Sequence, residues 1–152
     1  MKRVEVKLNL DAVAPLLDVM KSAADSLEPR LAVEPHVPEH DADFAETWRS
    51  ELLEGQKSDL ATLMGLFDSE FFTNGVIALD STNCEPILRA CSAIRLRLRE
   101  EHLQELDDEN LESGEVPLDD LPEEQRRAFA AYVFLATLQE VIVQHLDPTV
   151  ME

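Results

Sequence analysis

Residues 121–146 read LPEEQRRAFAAYVFLATLQEVIVQHL. No charge falls between Ala128 and Gln139, and from Phe129 to Leu138 apolar side chains occupy nearly every side of a helix. A helix with one polar face lies on a surface, whereas one that is apolar all round must be covered on several sides. This segment therefore predicts the central helix of a bundle. Asp120-Leu121-Pro122-Glu123 sets its start, a capping acid followed by a proline in the first turn, and Pro148 sets its end. The uncharged run is far shorter than the roughly 20 residues that cross a bilayer, so the segment predicts a core helix and no membrane partner.

The flanking sequence supplies helices to cover it. Residues 105–124 hold ten acids, no base, Gly114, Pro117 and Pro122. That composition predicts a solvated, mobile acidic loop over 105–120. Before it, 83–105 predicts a helix. Thr82 and Glu85 have capping-box spacing, Pro86 falls in the first turn, and Ile87, Leu88, Cys91, Ile94 and Leu98 line one face. Glu85–Arg89 and Arg97–Glu101 are spaced as outward i,i+4 pairs. Asn74-Gly75 stops a helical stretch over 43–72, in which Phe44, Trp48 and Leu52 are spaced by four and Leu60, Leu63, Met64, Phe67 and Phe71 continue the stripe. The polar run Gly55-Gln56-Lys57-Ser58 leaves open a kink there, or two helices broken near Arg49–Ser50. Residues 29–43 carry three prolines and predict an extended connection, and 11–28 predicts a helix capped by Asp11 with Val13, Leu16, Leu17, Met20 and Ala24 facing inward. Val4, Val6, Leu8 and Leu10 alternate with polar residues, which predicts a strand within 1–10, paired with Val76–Leu79. The expected fold is a mainly α single domain over 1–152: a four-helix bundle with a small two-stranded β-ribbon.

Composition agrees. Of 152 residues, 13 are Lys or Arg and 32 are Asp or Glu, a net charge of −19. Aromatics make up 5% and there are only 4 glycines, too few for the turns of a β-sandwich. So negative a chain cannot displace counterions from a phosphate backbone, which excludes nucleic acid as a partner. A nucleic-acid mimic needs its acids on a rigid face, and a Pro- and Gly-containing loop is the wrong place for them. Cys84 and Cys91 lie seven apart, about 10.5 Å along a helix, too far for a disulfide, and predict two buried thiols. Glu5 and Lys7 interrupt any apolar segment after Lys2 and Arg3, so no export signal is expected and the location expected is the cytoplasm.

The chemistry-bearing groupings are few. The nearest to a metal cluster is His36, His40, Asp41 and Asp43, donors that suit zinc or a harder divalent ion. Pro35 and Pro38 deny it helical geometry, and carboxylates ahead of a helix have an electrostatic reason of their own. A di-iron bundle needs a Glu three residues before each ligand His, and those positions hold Val33, Val37, Arg99 and Ile142. There is no Gly-rich phosphate loop and no nucleophile elbow. No residue is assigned as catalytic, and no cofactor is expected. The strongest surface signal is basic: Arg89, Arg95, Arg97 and Arg99 in one helix, with Arg95 and Arg99 on one face. In so acidic a chain such arginines suit an acidic or phosphorylated partner, or pair internally with neighbouring carboxylates. Gln139-Glu140, interrupting the apolar helix, reads as a hydrogen bond at the core edge.

Tyr132-Val-Phe-Leu135-Ala-Thr-Leu138-Gln139-Glu140, with Ile77-Ala-Leu79-Asp80 and Arg95-Leu96, resembles a bacterial domain-of-unknown-function family, number twenty-seventeen. The resemblance spans most of 40–146. It implies a small helical protein with no catalytic residues to carry over. Genes of that family lie near that of a Clp-protease adaptor in some bacteria, which implies a proteostasis or regulatory adaptor. The function expected is a non-catalytic protein-interaction module that presents Arg89, Arg95 and Arg99 to a protein partner. A homodimer is left open, and the alternative is a ligand- or metal-binding bundle with enzymatic activity.

Overall fold

The computed structural model describes residues 3–34, 42–104, 106, 107, 109, 111 and 121–146. In chain order the elements are β1 (Arg3–Lys7), α1 (Leu10–Ser26), α2 (Ala42–Met64), α3 (Ser69–Asn74), β2 (Val76–Asp80), α4 (Cys84–His102) and α5 (Glu123–Leu146). Among the described residues the protein is mainly helical, with four long helices, one short one and a two-stranded antiparallel ribbon, the fold class expected. The predicted acidic loop over 105–120 falls mostly outside the described residues.

The ribbon pairs Val4 with Leu79 and Val6 with Ile77. Leu79 and Ile77 are buried, and Val4 and Val6 pack on the core beside them, so the period-two alternation has its physical cause in one covered face. The strand is shorter than predicted. Leu10 already belongs to α1, because Asn9, not Asp11, is the cap: its side-chain oxygen accepts from the Ala12 N–H at 3.3 Å. Pro15 consequently falls in the second turn. It cannot donate to the Asp11 carbonyl, and both residues face solvent, where water can take that bond.

α2 runs unbroken through Gly55–Ser58 and past Arg49–Ser50. The interruption in 43–72 comes at Gly65–Asp68. There Asp68 restarts the helix as an N-cap, accepting from the N–H groups of Glu70 and Phe71 at 3.1 and 3.2 Å. Gln56 explains the polar run. Its amide nitrogen donates to the carbonyls of Leu27 and Arg30, and its oxygen accepts from the Ala32 N–H, each at 2.9 Å. The residue that looked like a kink fastens the chain after α1 to α2.

The Thr82–Glu85 capping box is not what begins α4. Asn83 holds the N-cap position, with its side chain turned back to β2, where it accepts from the Asp80 N–H at 2.9 Å and donates to the Ala78 carbonyl at 3.1 Å. α4 ends at His102, three residues before the predicted boundary. It lies between α2 and α5, and α1 packs on both α4 and α5. Length and composition would let α5 cross a membrane. Here Ala131, Leu135, Leu138, Ile142 and Leu146 are buried in the core shared with α1 and α4.

Both cysteines are free and buried. Burial pushes the Cys91 thiol up to about 12, with the Arg95 cation pulling weakly the other way. The folded chain therefore keeps a proton that the unfolded chain loses above the ordinary thiol range, about 8.5. Stability contributed by this group is whole below that range and is lost as pH rises toward 12. Urea midpoints are expected to fall between pH of about 8 and about 10, and to fall less in Cys91→Ala. Equal falls in both proteins would contradict this origin.

Candidate interaction groove

The outer face of α4 forms the floor of a groove. Leu88, Ser92 and Leu96 line it, Leu52, Gly55 and Gln56 of α2 form one wall, and Gln139 of α5 stands on the other side. Leu31, Ala32 and Val33, fastened by Gln56, close one end. The volume is about 570 Å³, enough for several side chains of a peptide. Arg49 donates two bonds to Glu34, at 3.0 and 3.2 Å, and these hold the Glu34 carboxyl below the usual carboxylate range. They also keep Val33 beside α2, where it is 68% exposed.

The wall continues along α2 as Trp48 and Phe44, whose rings stack at 6.0 Å. Phe44, Trp48 and Leu52 are 57%, 37% and 38% exposed. The stripe that predicted a core face is uncovered at this end. A signal in the sequence marks the change. Leu60 has Leu63 and Met64 three and four residues on, and Leu63 has Leu66 and Phe67, whereas three residues beyond Phe44, Trp48 and Leu52 stand Thr47, Glu51 and Gly55. A seam that narrow is not the wide apolar face a globular core requires.

The arginines of α4 divide. Arg89 forms a bidentate pair with Asp59 of α2, at 2.9 and 3.0 Å, rather than the predicted pair with Glu85. A planar guanidinium meets a carboxylate across the helix seam with better geometry than one turn along its own helix allows. Arg97 makes the predicted pair with Glu101 at 2.7 Å and also donates to Ser26 of α1 at 2.8 Å; it is largely buried, not on the outside. Arg95 and Arg99 are brought together with Ser92, Leu96 and Tyr132 around a second hollow of about 310 Å³ that continues the groove. Arg95 donates to the Gln139 oxygen at 2.6 Å and to the Tyr132 hydroxyl at 3.1 Å, and its guanidinium carbon lies 4.5 Å from the centre of the Tyr132 ring. Gln139 is held in turn, donating to the Leu88 carbonyl at 2.9 Å and the Ser92 hydroxyl at 2.8 Å, the core-edge role its position suggested.

Of the metal candidates, Asp43 sits exposed in the first turn of α2, while His36, His40 and Asp41 lie outside the described residues. Among the described residues no three His, Cys, Asp or Glu side chains are grouped so as to hold a metal ion.

The fold and the groove together define a small mainly helical protein with an uncovered apolar channel along one core helix. The sequence model of a family described as "Domain of unknown function (DUF2017)" matches residues 5–146, and the chain belongs to that family. No curated protein and no solved structure matches it.

Proposed function

We propose that the protein is a non-catalytic protein-interaction module, of the adaptor kind, that holds a segment of a partner protein in the α4 groove. The observation carrying this reading is the α2 stripe. Phe44, Trp48 and Leu52 stand in solvent and lead into a channel floored by Leu88 and Leu96. Leu96 itself is 41% exposed. Leaving aromatic and aliphatic side chains of one stripe in water forgoes about 25 cal/mol for each Å², and such patches mark places where a partner covers them. An amphipathic segment laid in a groove between helices is a common way of doing so.

A tagged full-length chain is expected to recover a partner in stoichiometric yield from its native lysate. Leu52→Glu combined with Leu96→Glu should lose that partner while helical content and unfolding midpoint hold. The same proteins recovered by both would reject the groove as the interaction surface.

A further inference from the structure

We infer that the partner segment carries a carboxylate side chain next to its apolar anchors, and that Arg95, with Arg99 beside it, receives that carboxylate; this rests on the interaction reading above. The α4 arginines differ in what meets their charge. Arg89 has Asp59 and Arg97 has Glu101 within 3 Å. Arg95 has no ion pair among the described residues. Its partners are neutral, the Gln139 amide, the Tyr132 hydroxyl and the Tyr132 ring, and among the described residues its buried Nε has no hydrogen-bond partner. Each terminal nitrogen of a guanidinium carries two N–H groups. One on each is used, which leaves one on each to donate.

The cation is also fixed in place. Gln139 is fastened at its nitrogen to Leu88 and Ser92, and Tyr132 is buried, so both partners of Arg95 are rigid. A cation held by neutral groups at the mouth of a hollow, in a chain of net charge −19, is matched by an anion from outside. The apolar floor beside it, Leu88 and Leu96, selects aliphatic or aromatic side chains on the same ligand. Together they describe an apolar peptide segment with Asp or Glu at one end. A second copy of this chain fits less well, because two molecules at −19 each repel.

Selection of random dodecapeptides on the immobilised full-length protein tests this. Peptides with two or more apolar anchors and an acid to one side are expected to be enriched over the Leu52→Glu/Leu96→Glu protein. Changing that acid to its amide should weaken a selected peptide about tenfold, and should cost nothing on Arg95→Gln. Arg95→Lys keeps the charge without the fork and is expected to retain part of the preference; it carries the comparison if Arg95→Gln loses helical content. Trp48, the single tryptophan, reports occupancy of the groove by its fluorescence. Enriched peptides lacking acids, or an amide penalty unchanged by the Arg95 variants, would overturn the carboxylate inference and leave the groove reading standing. No enrichment over the double-Glu protein would overturn both. A dimer in sedimentation at low ionic strength, dissociated by Leu96→Glu, would put a second copy in the groove instead.

Discussion

Phe71→Ala is expected to lower the unfolding free energy by about 3–5 kcal/mol, while Phe44→Ala changes it by less than about 0.5 kcal/mol. Both phenylalanines belong to the same apparent stripe, with residues three and four apart. Phe71 is completely buried, with the Phe67 and Phe72 rings centred 5.1 and 5.2 Å away in edge-on contact. Removing its ring leaves a cavity whose walls are α3 and the core it packs against, and close-packed surroundings collapse only in part. Phe44 is 57% exposed, so its loss removes little buried area, and alanine is the better helix former. Chemical denaturation of the two variants measures both. A Phe44→Ala penalty approaching that of Phe71→Ala would mean that the α2 stripe is part of the core, and would remove the basis of the interaction reading.

Gly75→Ala is expected to cost about 3 kcal/mol, and Gly55→Ala to be neutral or to add about 0.5–1 kcal/mol. Gly75 ends α3 in the left-handed region, at φ 72°, where a side chain clashes with its own backbone. A Cβ there would also stand 2.7 Å from the Leu8 carbonyl oxygen, and that atom cannot move freely. The Leu8 N–H donates to the Gly75 carbonyl at 2.7 Å, and the Gly75 N–H donates to the Phe71 carbonyl at 2.7 Å. The joint therefore closes α3 and fastens the end of β1 to the start of β2 at once. Gly55, in mid-helix, has nothing within 4 Å of its Cβ position. A large fall in melting temperature for Gly75→Ala, with none for Gly55→Ala, is the expected result; a mild Gly75→Ala would show that the β1–α1 corner shifts to admit a methyl group.

At Arg89 and Gln56 prediction and structure part because the partner is distant in sequence; at Asn83 they part because a neighbouring strand competes for the cap. Arg89 has Glu85 at helical spacing, but α2 brings Asp59 to it with both oxygens facing the fork. Asn83 and Asp80 tie the end of β2 to the start of α4, so the helix cap is set by the strand and not by the Thr82–Glu85 spacing. Gln56 looked like a break in the apolar pattern because its three bonds go to the chain after α1.

The groove was legible only in pieces. Arg95 and Arg99 stood out as basic residues on one face, and Gln139 as a polar interruption. That Arg95 is held by Gln139 and Tyr132 depends on how α5 lies across α4. The metal grouping of His36, His40, Asp41 and Asp43 rested on sequence nearness, and only Asp43 of the four lies among the described residues.

By itself the sequence determined the mainly helical class, the ribbon of two strands, the stop at Asn74-Gly75 and the apolar helix ending at Leu146. Each follows from periodicity, caps and breakers acting within a few residues along the chain. Only the tertiary structure decided which apolar stripe is covered and that, among the described residues, Arg95 meets neutral partners where Arg89 and Arg97 meet carboxylates. Burial and ion pairing depend on which helix lies opposite, and the spacing of residues along one helix does not specify its neighbour.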